Sequence, residues 1–206
     1  RVIHEAGGRV RGPFVDVNCA AIPETMLEAE LFGFERGAFT DARRAKPGLF
    51  EAASGGTLFL DEVDALPLPL QGKLLKAIEE KSVRRLGAVA AHRFDVKLVA
   101  ATAKDLRELV GVGSFRADLY HRLAVVILVI PPLRQRREDV VLLAETFLAT
   151  HADAHGLAAK RLTAAARAWL LAHGWPGNVR ELAHLMGRVT LLCPAHEVDA
   201  PTVERA

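Results

Sequence analysis

Short apolar runs alternate with amphipathic stretches from the start of the chain to Ile130. Short, mostly apolar runs bounded by turn residues are typical of buried strands, and we predict strands from such runs at 14–17, 57–60, 96–101 and 125–130. Apolar residues at helical spacing predict helices at 22–32, 49–53, 67–81, 105–110 and 115–123. Strands separated by helices predict an α/β fold with a parallel sheet flanked by helices. A small hairpin around Gly87 is predicted from Arg84–Leu86 and Arg93–Asp95.

The pattern changes after Pro131-Pro132, because no strand-like run follows. Three segments predict helices, at 138–151, 163–173 and 178–193, and Thr163 is the expected N-cap of the second. We therefore predict an α/β part at residues 1–132 and a small all-α domain at residues 133–206.

Composition narrows the class of protein without identifying it. The 206 residues are 50% hydrophobic and 25% charged, which is typical of a globular protein. The net charge of +2 gives no sign of a DNA-binding surface by itself. Cys19 and Cys193 lie far apart without CxxC spacing, which favours free thiols in a reducing compartment. These features predict a soluble, cytoplasmic protein that does not associate with membranes.

The candidate chemistry lies in the stretch Gly55–Glu62, where two glycines precede an apolar run and two acids follow it. Ligands of open parallel sheets bind beyond the carboxyl ends of the strands, which is where Asp61 and Glu62 project. Asp61 is suited to hold a hydrated Mg²⁺ and Glu62 to polarise an attacking water, as phosphoryl transfer requires. The alternative is an exposed acidic pair that caps the next helix.

Several further motifs occur in one order along the chain: ELFG at 30–33, GAFTDA at 37–42, GGTLFLDE at 55–62, FRADLYHRL at 115–123, PLR at 132–134 and WPGNVREL at 175–182. With these, the chain resembles the AAA+ ATPase domain of bacterial enhancer-binding proteins, the activators of sigma-54 RNA polymerase. The resemblance implies an AAA+ sheet followed by a helical lid, with ATP and Mg²⁺ as cofactors.

The resemblance also implies roles for individual residues. Asn18 is similar to a switch residue that holds the catalytic Glu62, although asparagine also serves in turns and caps. Arg116 and Arg122 resemble arginine fingers that enter the neighbouring subunit's site; otherwise they are ordinary surface charges. The nucleotide-binding residues that the resemblance implies are Gly55, Gly56, Asp61, Glu62, Thr102 and Arg180. Arg180 would act from the lid, and its alternative is a surface salt bridge.

The GAFTDA stretch resembles the loop that contacts the sigma factor in this family. Its six residues are Gly37, Ala38, Phe39, Thr40, Asp41 and Ala42. Phe39 is the expected contact, because an exposed aromatic side chain makes sense when a partner buries it. The alternative is that Phe39 folds back onto its own domain.

The sequence departs from the family pattern in three places. No phosphate-binding GxxxxGK[ST] loop occurs, and we expect residues upstream of Arg1 to supply it with a strand that lies between 96–101 and 125–130. Ala103 follows Thr102 where the family usually has asparagine, so hydrolysis is slower or Thr102 makes the contact alone. Asp41 replaces the loop's second glycine and adds a negative charge beside Phe39.

The resemblance therefore implies an ATP-hydrolysing domain that forms a hexameric ring of identical subunits and remodels sigma-54 RNA polymerase. Two alternatives stay open: a non-hydrolysing regulatory or scaffold subunit, and an AAA+ remodeller of another protein. DNA binding is expected only through a domain outside residues 1–206.

Overall fold

The structure is a computed structural model that describes all residues 1–206. It divides into two compact units, Arg1–Ile127 and Leu128–Ala206. The division precedes Pro131-Pro132, where the sequence pattern changes. No helix in either unit is both long and apolar enough to cross a membrane.

The first unit alternates strands and helices. In chain order its elements are α1 (Val2–Glu5), β1 (Phe14–Asn18), α2 (Glu24–Phe32), β2 (Gly33–Phe34), β3 (Lys46–Pro47), α3 (Leu49–Ala52), β4 (Thr57–Asp61), α4 (Leu68–Glu80), β5 (Ser82–Arg84), β6 (Ala91–Arg93), β7 (Lys97–Ala100), α5 (Leu106–Gly111) and α6 (Ala117–Leu123). A single 3₁₀ turn, Val63–Ala65, follows β4.

The central feature of this unit is a parallel three-stranded sheet in the order β1-β4-β7. Leu58 and Leu60 of the middle strand are two residues apart and therefore lie on the same face of the sheet, where both are fully buried in the hydrophobic core. Helices α2, α4 and α6 contribute apolar residues to the same core. The α/β class and the parallel sheet flanked by helices are thus confirmed.

Two glycines place the amino end of β4. Gly55 has φ +81°, a left-handed conformation that glycine adopts without strain. A Cβ at Gly56 would lie 1.9 Å from the carbonyl oxygen of Pro13, so only glycine permits this approach of the chain to the start of β1. Their position at the strand's amino end follows from these backbone requirements.

The predicted hairpin around Gly87 is present, but its strands begin two residues earlier than predicted. β5 and β6 pair antiparallel, with Val83 opposite His92. Val83 is buried at this pair, and its inward position sets the register.

The prediction of a strand at 125–130 is wrong. These six residues form no ladder, and their side chains are 62–84% exposed. A strand requires a neighbour that pairs with its backbone N–H and C=O groups. The resemblance placed that neighbouring strand between β7 and this run, and no segment of residues 1–206 pairs there.

The second unit is mainly helical. It contains a 3₁₀ turn (Leu133–Gln135), α7 (Arg137–His155), β8 (Arg161–Leu162), α8 (Ala164–Ala172), α9 (Asn178–Leu192), β9 (Glu197–Val198) and α10 (Ala200–Arg205). The three predicted helices are present, and the Thr163 hydroxyl accepts from the Ala166 N–H as the predicted N-cap.

Two features of this unit correct the sequence prediction. A two-residue parallel pair joins β8 to β9, where no strand was expected, and α10 was not predicted. Two residues per strand are too few for a period-two pattern to show. The core surrounds Trp175, whose indole Nε1–H donates to the Leu170 carbonyl at 2.9 Å.

Candidate functional site

The carboxyl edge of the sheet brings Asn18 and Asp61 side by side. Asn18 is the last residue of β1, and its Cα partner in the ladder is Asp61, the last residue of β4. The Cys19 N–H donates to the Asp61 carbonyl at 2.9 Å and continues the pairing past the strand. The structure thus places Asn18 beside Asp61, and the Asn18 side chain forms no hydrogen bond with the Glu62 side chain.

Glu62 has an unusual backbone conformation. Its φ of 53° and ψ of 48° lie in the left-handed region, which costs a non-glycine residue about 1–3 kcal/mol. Such strain persists where the surroundings hold the residue and is common at active sites. The Glu62 side chain is exposed, and it does not cap the following 3₁₀ turn. The helix-capping alternative therefore has no support from Glu62.

Asp61 retains an oxygen for a cation. Its Oδ1 accepts the Glu62 N–H at 3.1 Å, and no hydrogen bond occupies Oδ2. No group of three or more His, Cys, Asp or Glu residues gathers to hold a metal ion. Mg²⁺ in phosphoryl-transfer sites typically takes one or two carboxylates, several waters and the substrate's phosphates. One partly exposed carboxylate with a free oxygen fits that donor set.

A second polar cluster at this edge adds Asp64 and Lys104, which were not predicted, to the predicted Thr102. The Thr102 hydroxyl donates to Asp64 Oδ1 at 2.6 Å, and Lys104 Nζ lies 3.0 Å from Asp64 Oδ2. Burial opposes ionisation of Asp64, but the hydrogen bonds from Thr102 and Lys104 outweigh it and lower its pKa. Asp64 therefore orients the Thr102 hydroxyl. The only signal in the sequence was a third acid, two residues after Glu62.

Cys19 lies in the same acidic surroundings. Burial, and then the negative charges of Asp61, Asp64 and Glu62, raise the pKa of the Cys19 thiol to about 11. Its side chain is 2% exposed. The thiol is therefore a packed and protonated group, consistent with the expected free cysteine.

We expect iodoacetamide at pH 8 to alkylate Cys193 well before Cys19. The thiolate is the reactive form, and a pKa of about 11 leaves only about one Cys19 in 10³ ionised at that pH. Peptide mass spectrometry over time measures both rates, and a Cys193→Ala variant should stay unlabelled under native conditions. Faster labelling of Cys19 than of Cys193 would contradict the description of this site.

Asn18 combines a structural role with a free donor. Its Oδ1 accepts the backbone N–H groups of Ala20 and Ala21 at 2.9 and 3.1 Å, which is the turn role that the sequence left open. Its amide nitrogen makes no protein hydrogen bond. The side chain is thus fixed by its oxygen while its N–H groups remain available beside Asp61.

Arg116 and Arg122 occupy different positions around α6. The Arg116 guanidinium forms two hydrogen bonds to Asp118 of the same chain, at 3.0 and 2.7 Å, and is about half exposed. Arg122 forms no ion pair and lines a cavity of about 240 Å³ with Ile78 and Leu98. Six residues along a helix correspond to a rotation of about 240°. The two predicted fingers therefore do not share one face.

The predicted partner loop, residues 37–42, is a compact turn. The Gly37 N–H donates to the Ala42 carbonyl at 2.8 Å, and Gly37 has φ +83°. The Phe39 side chain is 46% exposed, while its ring packs against Phe34 with centroids 4.9 Å apart. Both sequence alternatives thus apply in part, because the ring contacts Phe34 of its own domain while nearly half of the residue is exposed.

The carboxyl ends of the strands do not gather every candidate. Gly55 and Gly56 lie at the opposite end of β4 from Asp61, because they precede the strand and serve the turn described above. Arg180 lies in the first turn of α9 in the second unit, is exposed, and forms no ion pair. The surface salt bridge that was its alternative is absent.

A parallel α/β sheet with an acidic pair at its carboxyl edge, in a chain that continues into a helical unit, is an arrangement suited to nucleoside triphosphate chemistry. Residues 1–129 match the Sigma-54 interaction domain, and residues 134–206 match the AAA+ ATPase lid domain. The chain belongs to the sigma-54 interaction domain family of AAA+ proteins.

Similar proteins agree with this assignment. The chain is 52% identical to the response regulator protein PilR of Pseudomonas aeruginosa, in an alignment that covers 97% of this chain. It is 48% identical to the sigma54-dependent transcriptional activator SfnR of Pseudomonas putida, also over 97% of this chain. It covers 45% of PilR and 55% of SfnR, so it spans about half the length of these relatives.

Solved structures show the same fold. NtrX from Brucella abortus in complex with ADP superposes with a TM-score of 0.89 at 37% identity, over 97% of this chain and 44% of that chain. A RuvB mutant from Thermotoga maritima has a TM-score of 0.57 at 15% identity over 95% of this chain and 53% of that chain, which shows the fold alone.

Proposed function

We propose that this chain is the ATP-hydrolysing domain of a cytoplasmic transcription activator that remodels sigma-54 RNA polymerase. The observation that carries the proposal is the arrangement of Asn18, Asp61 and Glu62 at one sheet edge, in a member of the sigma-54 interaction domain family. Asp61 would hold Mg²⁺ on the phosphates of ATP, and the ion would neutralise charge that develops there.

Within this site Glu62 would accept a proton from the attacking water, because its carboxylate is exposed at the edge and is not used in capping. Asn18 is fixed by its oxygen and presents its amide N–H groups beside Asp61. Thr102 is held by Asp64, so a hydroxyl rather than an asparagine side chain stands at this part of the edge.

Assembly completes the proposed site. Arg116 is exposed, and its only ion pair is with Asp118, a neighbour two residues away. Surface pairs of this kind are worth little, so the guanidinium is available to a second copy of the chain. We infer a ring of identical subunits, hexameric as the resemblance implies, in which Arg116 grips the phosphates bound by its neighbour.

A second candidate function is supported by Ala103. The methyl side chain of alanine makes no hydrogen bond to a phosphate or a water, and the Thr102 hydroxyl already donates to Asp64. A non-hydrolysing regulatory subunit would retain the fold and the exposed Arg116. Phosphate release by the full-length protein that depends on Glu62 separates the two functions.

Phe39→Ala is expected to abolish binding of sigma-54 and to leave ATP turnover nearly intact. The exposed part of Phe39 is available to a partner, and the loop is closed by its own Gly37–Ala42 hydrogen bond without one to Asp61 or Glu62. Pull-down with sigma-54 and phosphate release, both with the full-length protein, measure the two effects.

Met26→Ala is the matched control, because Met26 is another exposed large apolar residue, 54% accessible, outside the loop. It should bind sigma-54 as the unmodified protein does. A collapse of turnover in Phe39→Ala would instead assign Phe39 to the packing of its own domain against Phe34.

A further inference from the structure

One fully buried polar side chain is not used by the function proposed above. Gln71 on α4 is 0% exposed, in a helix whose other buried residues are apolar. Glutamine is rarely fully buried, and a buried amide must satisfy its donors and acceptor to avoid a desolvation cost. The partners of Gln71 therefore reveal why it is there.

Gln71 connects three points of the backbone. Its Nε2 donates to the Leu66 carbonyl at 2.8 Å and to the Ser114 carbonyl at 3.1 Å, while its Oε1 accepts the Arg116 N–H at 2.8 Å. Only one orientation of the Gln71 amide satisfies all three hydrogen bonds. The opposite orientation would set the oxygen against two carbonyls and the NH₂ group against an N–H.

The three backbone groups that Gln71 contacts lie in the two segments that carry Glu62 and Arg116. Leu66 ends the 3₁₀ turn that directly follows Glu62. Ser114 and Arg116 belong to the connection between α5 and α6, where Gly113 has φ +75° and Phe115 is buried. Arg116 is the N-cap of α6 and its own side chain caps nothing, while its backbone N–H is held by the Gln71 side chain.

A close approach on the same helix places the Arg116 side chain as well. A Cβ at Gly72 would lie 3.9 Å from Arg116 Nη1, so the guanidinium lies beside α4 one residue after Gln71. Arg116 therefore meets α4 at two consecutive residues, with its guanidinium beside Gly72 and its backbone N–H bonded to the Gln71 amide.

We propose that Gln71 is a positioning residue that sets Arg116 for the neighbouring subunit's site and ties it to the turn after Glu62 of its own subunit. This inference rests on the proposed ring with Arg116 acting between subunits. Gln71 does not touch nucleotide, because it is fully buried within its own subunit. It acts through the Arg116 backbone.

The test uses full-length Gln71→Met, which keeps the side-chain length and removes all three hydrogen bonds. Turnover is expected to fall by about 10- to 100-fold, the scale for displacing a catalytic group by about 1 Å. In an Arg116→Ala background the same substitution should lower turnover no further, because residues that act through one group are not additive.

Mixing variants separates positioning from a general loss of structure. Glu62→Gln subunits lack a catalytic base but carry an intact Arg116, so they should restore the sites of Gln71→Met subunits beside them. In equal mixture, turnover per Gln71→Met subunit should rise toward about half of the unmodified value, because about half of the neighbours in a random ring are Glu62→Gln. Val83→Ala, a buried truncation in the hairpin, is the control that mixing should not restore.

The outcomes distinguish this inference from the proposed function. Arg116→Ala mixed with Glu62→Gln tests the function: recovery there without recovery for Gln71→Met overturns the inference alone. No recovery in either mixture overturns action between subunits and the inference with it. Gln71→Asn, whose shorter side chain keeps both an N–H donor and an oxygen acceptor, should retain more turnover than Gln71→Met. If circular dichroism shows that neither Gln71 variant folds, the residue serves stability only and the inference is overturned.

Discussion

Glu62→Gln is expected to bind ATP normally and to lose about 10²-fold or more in turnover, the usual scale for losing a general base. The amide has nearly the same size as the carboxylate but does not accept a proton from water. The strained left-handed backbone at Glu62 requires no carboxylate contact, because the side chain makes no hydrogen bond in the structure. The fold and the Asp61 carboxylate should therefore remain unchanged.

Phosphate release and equilibrium ATP binding by the full-length protein, measured side by side, test this expectation. Glu79→Gln is the matched control, because Glu79 is an exposed acid on α4 that forms no ion pair. Turnover in Glu62→Gln equal to that of the control would remove Glu62 from the mechanism. Loss of ATP binding would instead place Glu62 in nucleotide recognition.

Arg116→Ala is expected to lower turnover by about 10³-fold or more, the scale of losing an arginine finger. The arginine stabilises charge on the transferred phosphoryl group, and alanine leaves that charge without a partner. If the residue acts between subunits, turnover per subunit should also rise with protein concentration. Added Arg116→Ala subunits should lower the activity of unmodified ones.

Asp118→Asn is the control for this substitution. It removes the charge that pairs with Arg116 but keeps an oxygen for the Leu119 N–H, so α6 should begin as before. Its turnover should stay near that of the unmodified protein, since an exposed pair contributes little. A dilute monomeric protein with full activity would rule out action between subunits. Arg122→Ala, measured in parallel, decides whether the second arginine takes part, because Arg122 lies on another face of α6.

Local sequence was sufficient to predict the elements that carry the candidate site. The apolar run at 57–60, followed by Asp61 and Glu62, predicted both the middle strand and the edge where the acids lie. This was possible because hydrophobic periodicity and turn residues are features of a few neighbouring positions. The N-cap at Thr163 was predictable for the same reason, since the side chain bonds a backbone group three residues away.

The run at 125–130 shows the limit of such reasoning. Its composition is the most strand-like in the chain, yet it pairs with nothing, because strand formation depends on a neighbour that the run does not contain. The two-residue pair of β8 and β9 is the opposite case, where tertiary packing forms a ladder without a local pattern.

The sequence alone thus determined the class of fold, the acidic pair at the end of β4 and the motifs that define the family. Only the tertiary structure decided that Asp64 holds Thr102, that Gln71 holds Arg116, and that Gly55 lies at the far end of the strand from Asp61. The physical reason is distance along the chain. Asp64 and Thr102 are 38 residues apart and Gln71 and Arg116 are 45 apart, so no local periodicity relates them until the sheet and α4 bring them within hydrogen-bond reach.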